Sequence, residues 1–223
     1  DQAKSEISHL EATNRAITKF AATGGGLIRV AAVPSVAGAV LPSALKTFGK
    51  DFPDVQIDLR DMDSSAVVRG VQDGMYDLGI ATAPASALNV QRDVFCEDPF
   101  GVICAADHPL AKVKVPLDWE QLDGYALIMN PLAVTLAAPA LQNRLKHATV
   151  TAHNTLSLLA LVQAGIGMTV LPRMVTQMAW APIKFVGVTD KEAFRQIDLL
   201  QPPNAQPSAA IKALVACLKG AIG

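Results

Sequence analysis

At 223 residues, 51% hydrophobic but only 5% aromatic, the chain is long enough for a large aliphatic core in one or two domains. Nineteen Lys and Arg face twenty Asp and Glu, a net charge of −1 with no long basic block, which argues against nucleic-acid binding by this chain. Apolar runs are broken by Pro, Gly or Thr short of the ~20 residues a membrane span needs, and the three scattered cysteines Cys96, Cys104 and Cys217 form no disulfide framework or metal motif, as in a reducing compartment.

Residues 1–22 read as a polar helix and not as a secretory leader. Ile7, Leu10, Asn14, Ile17 and Ala21 fall at a, d, a, d, a of a heptad, and Asn at an a position fixes pairing register. A surface helix packed on its own domain is the alternative. The start without Met suits a fragment or a processed product. Thr23-Gly24-Gly25-Gly26 ends this helix in a flexible joint, and because it precedes a strand it is not a phosphate-binding loop.

A buried strand is expected over Leu27 to Val33, ending in Pro34-Ser35. The spacing of Val40, Leu41, Leu45 and Phe48 then predicts a helix. Val55 to Leu59 alternates as a half-buried strand, Ser65 to Gln72 is a helix stopped by Gly74, and Asp77 to Ala81 is a buried strand. A second half is expected from Pro99. It holds a strand over Phe100 to Ala105, a turn at Asp107-His108-Pro109 and a short helix around Trp119. A strand over Ala126 to Met129 follows, then a loop over Asn130 to Pro139 and a helix from Ala140 to Lys146. Beyond a strand at Val150 to Ala152, Asn154 caps a helix through Gln163 that ends at Gly165. Strands are expected at Met168 to Leu171, Ile183 to Val188 and Phe194 to Leu200, and a final helix at Ser208 to Lys219.

The order strand, Pro34-Ser35, helix, Leu41-Pro42, Phe48-x-x-x-Phe52-Pro53-x-Val55, strand, Asp73-Gly74-x-x-Asp77-x-Gly79-Ile80 resembles the effector-binding domain of LysR-type bacterial transcriptional regulators. The resemblance continues through Asp107-His108-Pro109-Leu110, Val162 to Met168 and Leu171-Pro172, covering about residues 27 to 220. It implies an α/β fold of two Rossmann-like subdomains, of periplasmic-binding-protein type, with a cleft between them. Residues 1–22 would end the linker helix, 27–98 with 201–223 would form subdomain I and 99–200 subdomain II, hinged at Asp98, Pro99 and Gln201. It also implies a preceding winged helix-turn-helix.

In open α/β sheets ligands sit beyond the carboxyl ends of the strands. The expected cleft is lined by Ser35, Ser64, Thr82, Asn130 and Thr135, with Val36, Leu132 and Met168 as apolar walls and helix N-termini at Ser35 and Thr135 facing each other. An ordinary N-cap is the alternative role for each hydroxyl, and capping is the favoured role of Asn154 and Thr155. The resemblance implies that the Thr82 position faces the cleft, where several relatives that sense aromatic acids carry Arg; Thr weakens the case for a strongly anionic effector.

Catalysis has no candidates. His9, His108, His147 and His153 form no metal-binding pair, no G-x-S-x-G elbow is present, and Asp61-Met62-Asp63 reads as a solvated turn. The resemblance therefore implies a cytoplasmic bacterial sensor without cofactor or metal, binding a small, carboxylate-bearing effector. Self-association would use helices 37–48 and 156–162, giving a tetramer when intact. DNA would be met only through the preceding domain, with RNA polymerase a further partner and no membrane. The alternatives are a periplasmic solute-binding protein and an enzyme on a related two-lobed fold.

Overall fold

The computed structural model describes residues 26–87, 89–179 and 182–222. The expected heptad helix and residues 23–25 of the glycine joint lie outside the described residues. The chain divides into two compact units: residues up to Phe95 together with Asp198 onward, and Cys96–Ile197.

In the first unit β1 (Leu27–Ala32) lies between two parallel neighbours, because LIRVAA is apolar enough to be covered on both faces. β2 (Gln56–Asp61) pairs with it from Leu27↔Gln56 to Ala32↔Asp61, and β3 (Leu78–Ala81) from Val30↔Leu78 to Ala32↔Ile80. The end of β9 (Phe194–Gln201) runs antiparallel to β3, with Ala81 opposite Asp198. All three parallel strands thus release their loops at one edge.

One helix was expected after β1, and the structure has two, α1 (Pro34–Ala39) and α2 (Leu41–Asp51). Pro42 explains the break: it has no N–H to donate and its ring would collide with the carbonyl four residues back, so it is tolerated only in a helix's first turn. Gly74, at φ 66°, closes α3 (Ser64–Gln72) in the left-handed region that a side chain disfavours. Val67, Val68 and Val71 bury the inner face of α3, each worth roughly 1.5–3 kcal/mol. The last helix, α7 (Ala209–Gly220), starts at the cap Ser208 and packs on α2.

The second unit is entered on β4 (Gln91–Ala105), a 15-residue strand where the sequence predicts one only from Phe100. Its first residues are exposed and lack alternation, so no period announced them. Asp98 and Pro99 therefore lie inside a strand, and Gln201 is the last residue of β9. β4 pairs antiparallel with β7 (Thr169–Pro172) and with β8 (Ile183–Gly187), Gly101 facing Leu171 and Gly187. β5 (Ile128–Met129) and β6 (Val150–Thr151) form a small parallel pair. The expected loop after Asn130 contains the short helix α4 (Pro131–Val134), followed by α5 (Pro139–Leu145) and α6 (Thr155–Gln163). A 3-10 segment at Arg173–Met178 was not foreseen.

Candidate functional site

The carboxyl edge of β1, β2 and β3 gathers three of the expected residues. Ser35 follows Pro34 in the first turn of α1, but it is not the cap: Val33 is, without a side-chain bond. Its side chain is 3% exposed. Ser64 opens α3, whose cap is Asp63; the Asp63 carboxylate accepts from the Ala66 N–H at 2.9 Å and from the Ser65 hydroxyl at 2.5 Å. These bonds hold the Asp63 carboxyl below its ordinary value, the Ser65 hydroxyl contributing most. Asp63 is thus a helix cap and not a merely solvated turn residue.

Thr82 follows β3, and its backbone N–H donates to Ser64 Oγ at 3.3 Å, so the loops after β2 and β3 are joined. Thr82 Oγ1 is itself buried without a hydrogen-bond partner. An unsatisfied buried hydroxyl costs about 1–3 kcal/mol. Val36, expected as a wall, is fully buried in the core and presents no surface.

In the second unit Asn130 is 1% exposed and its amide is committed internally. It donates to Thr169 Oγ1 at 2.9 Å and to the Val170 carbonyl at 3.0 Å, while Oδ1 accepts from the Ala133 N–H at 3.0 Å and caps α4. Both amide hydrogens are spent, so Asn130 fixes the loop and keeps only remaining acceptor capacity on Oδ1. Thr135 is corrected outright: it ends α4 instead of starting a helix, and its exposed hydroxyl donates to the Leu132 carbonyl at 2.7 Å. The expected pair of opposed helix N-termini therefore does not exist. Leu132 is partly buried, whereas Met168 is a core residue at 0% exposure. Asn154 caps α6 through bonds to Leu156 and Ser157, as expected.

Among the expected hinge residues, Asp98 is buried and pairs with Arg195 at 2.8 Å while accepting from the Met174 N–H at 3.0 Å. The sequence reading missed Asp198, which is wholly buried, pairs with Arg92 at 2.9 Å and accepts from the Ala83 N–H at 3.4 Å. FRQIDLLQ carried the signal: a carboxylate amid apolar residues of a strand needs a partner.

Thiol chemistry is disfavoured. Burial pushes the Cys104 thiol up to about 11 and also raises Cys96. The two lie on the same strand, eight residues and about 26 Å apart at ~3.3 Å per residue, too far for a disulfide. His108 Nδ1 accepts from the Leu110 N–H at 3.2 Å, and burial lowers its pKa, so it is a neutral turn cap. Among the described residues no group of His, Cys, Asp and Glu could hold a metal, and no helix is long and apolar enough to cross a membrane.

Solved structures share this fold. The BenM effector binding domain with its effector benzoate aligns at TM-score 0.67 and 20% identity, covering 87% of this chain and 90% of that one. The effector binding domain of QuiR in complex with shikimate aligns at TM-score 0.68 and 16% identity, covering 88% and 96%. The Synechocystis PCC6803 CcmR regulatory domain in complex with 2-PG aligns at TM-score 0.69 and 19% identity, again covering 88% and 96%. By sequence, the chain is 25% identical over 214 residues to the uncharacterized HTH-type transcriptional regulator YfeR of Shigella flexneri, covering 93% of this chain and 69% of that protein. It is 28% identical over 173 residues to the HTH-type transcriptional regulator CatR of Pseudomonas putida, covering 74% and 59%. The chain thus spans about three-fifths to two-thirds of these relatives' length. The LysR substrate binding domain model matches residues 21–223, and the chain belongs to that family, the non-enzymatic effector-binding domain of LysR-type transcriptional regulators.

Proposed function

We propose that this domain senses a small organic carboxylate in the bacterial cytoplasm and that the effector sits on the carboxyl-edge loops of the first unit, at Ser35, Ser64 and Thr82. The observation that carries this is the buried, unpaired Thr82 hydroxyl, on a residue whose backbone N–H donates to Ser64 Oγ at the strand ends where open α/β sheets bind ligands. Within the second unit Leu132 is the candidate apolar contact for an effector, and Asn130 holds the loop that carries it. Asp98, Pro99 and Gln201 border the crossings at which the units would move. Benzoate and shikimate, bound by two of the similar structures, are both carboxylates, which supports the ligand class.

In the whole protein, effector binding would favour one arrangement of the two units over another by its differential affinity and bias a preceding winged helix-turn-helix on DNA. Pairing of two copies through α1–α2 and α6 would carry that change across a dimer and, in the intact protein, a tetramer, with RNA polymerase as the downstream partner.

A thermal-shift screen of benzoate, shikimate and aliphatic carboxylates tests the ligand class. A ligand at 100 times its Kd adds about 2.7 kcal/mol of apparent stability. Ser35→Ala should then weaken a confirmed ligand by about one to two decades in titration calorimetry, the loss of one charge-assisted hydrogen bond. No stabilisation by any carboxylate refutes the ligand class, and unchanged affinity in Ser35→Ala moves the site.

A further inference from the structure

The loop that carries Thr82 is held from two directions inside the first unit. The Thr82 N–H is taken by Ser64, and the next N–H, of Ala83, by the Asp198 carboxylate. Asp198 belongs to β9, the strand that returns to this unit, and it sits opposite Ala81 in the ladder. The same Asp198 oxygen is paired at 2.9 Å with Arg92. Arg92 belongs to β4, the strand by which the chain leaves the unit. Asp198 is fully buried and Arg92 about one-third exposed, so the guanidinium caps the carboxylate from the solvent side.

We infer that Arg92 and Asp198 are positioning residues, a clamp that fixes the Thr82–Ala83 backbone relative to the two strands joining the units. The role assigned to the clamp rests on reading that loop as the effector site. An effector atom drawn to Thr82 Oγ1 pulls on a backbone whose next amide is bonded to β9, and through Asp198 to β4. Both connecting strands therefore feel the occupancy of one hydroxyl.

A second pair has the reverse polarity in the other unit. There β4 supplies the carboxylate, Asp98, and β9 the guanidinium, Arg195, at 2.8 Å, and Asp98 in turn accepts from the Met174 N–H at 3.0 Å. Each connecting strand thus contributes one Asp and one Arg, and each carboxylate also accepts from a backbone N–H of its own unit, Ala83 after β3 and Met174 in the 3-10 segment.

Amide hydrogen exchange on the 223-residue chain, with no effector present, tests the clamp. Arg92→Gln and Asp198→Asn should each speed exchange at Ala83 by about ten- to hundredfold, the worth of a charge-assisted hydrogen bond. The β1 amides of Val30 and Ala31 should keep their protection. The double variant should be no faster at Ala83 than either single variant, because the two act as one unit. Arg92→Lys should recover most of the protection. It also serves as the second measurement should Arg92→Gln fold poorly. Lys219→Gln, which removes the exposed Asp93–Lys219 pair from the same strand, should leave Ala83 unchanged. Unchanged exchange at Ala83 in Arg92→Gln, equal acceleration of the β1 amides, or no recovery in Arg92→Lys overturns the clamp. The effector reading fails separately, if no carboxylate stabilises the wild-type chain.

Discussion

A threonine hydroxyl that is buried and unbonded is a debt in the free chain and an asset when a ligand arrives. That asymmetry makes Thr82→Val a sharp test, since valine keeps the shape and removes only the unsatisfied group. The free chain should gain about 1 kcal/mol in denaturant unfolding, while affinity for a confirmed carboxylate effector falls by about one to two decades. A destabilised variant would show that the hydroxyl has a structural bond after all. Asp63 illustrates the opposite case, a polar residue whose role is local. Asp63→Ala should cost about 1 kcal/mol at pH 7 by uncapping α3. Because its folded pKa lies below 3.8, the wild-type advantage is complete above that value and fades as pH falls through the folded pKa. Urea unfolding of both chains at pH 7 and across the acid range measures it.

At the scale of elements, α6 is the anomaly. TLSLLALVQ has no charged residue, and Leu158, Leu159 and Val162 fill its inner face. Leu156, 57% exposed, and Ala160 and Ala164, also exposed, leave an apolar stripe at helical spacing on the outside. This is the surface proposed for pairing two copies. Leu156→Asp should shift the chain toward monomer in analytical ultracentrifugation with its Tm nearly kept. Leu159→Asp, at 0% exposure, would instead place a charge in the core and unfold it, so it reports nothing about an interface. A wild type that stays monomeric at micromolar concentration, or a Leu156→Asp variant that stays dimeric, removes α6 from the interface.

The alternation of strand and helix was legible because buried parallel strands are continuous apolar runs and the covering helices carry apolar stripes. Asn154 and Ser208 mark helix starts, and Gly74 and Gly165 mark helix ends, in the same way, whereas the caps Asp63 and Asn130 read as turn and loop residues. What escaped has a common cause. The start of β4 is exposed on most of its length, α4 is a single turn, and the Arg173–Met178 segment has no 3.6-residue period. Ser35 and Thr82 were legible because each follows an apolar run, and Ser64 because it stands just before the helix expected from Ser65. The Arg92–Asp198 pair was not, since its members are 106 residues apart and only pairing of strands brings them together.

For the molecule as a whole the deciding quantity is charge. Each phosphate neutralised by Lys or Arg contributes about −0.9 to the slope of log K against log salt on duplex DNA. With nineteen Lys and Arg against twenty Asp and Glu, the chain has no net positive field to release counterions. Several of its cations are also engaged: Arg29 with Asp77, Arg92 with Asp198, Arg144 with Asp123, Arg195 with Asp98 and Lys219 with Asp93. The 223-residue chain should therefore show no sequence-specific retention of promoter DNA at physiological salt, and any weak binding at low salt should have a slope near zero. Gel shifts over a salt series measure both. Specific retention with a slope of several units would mean that the Lys and Arg residues left over form a phosphate-binding face, and that the chain does more than sense.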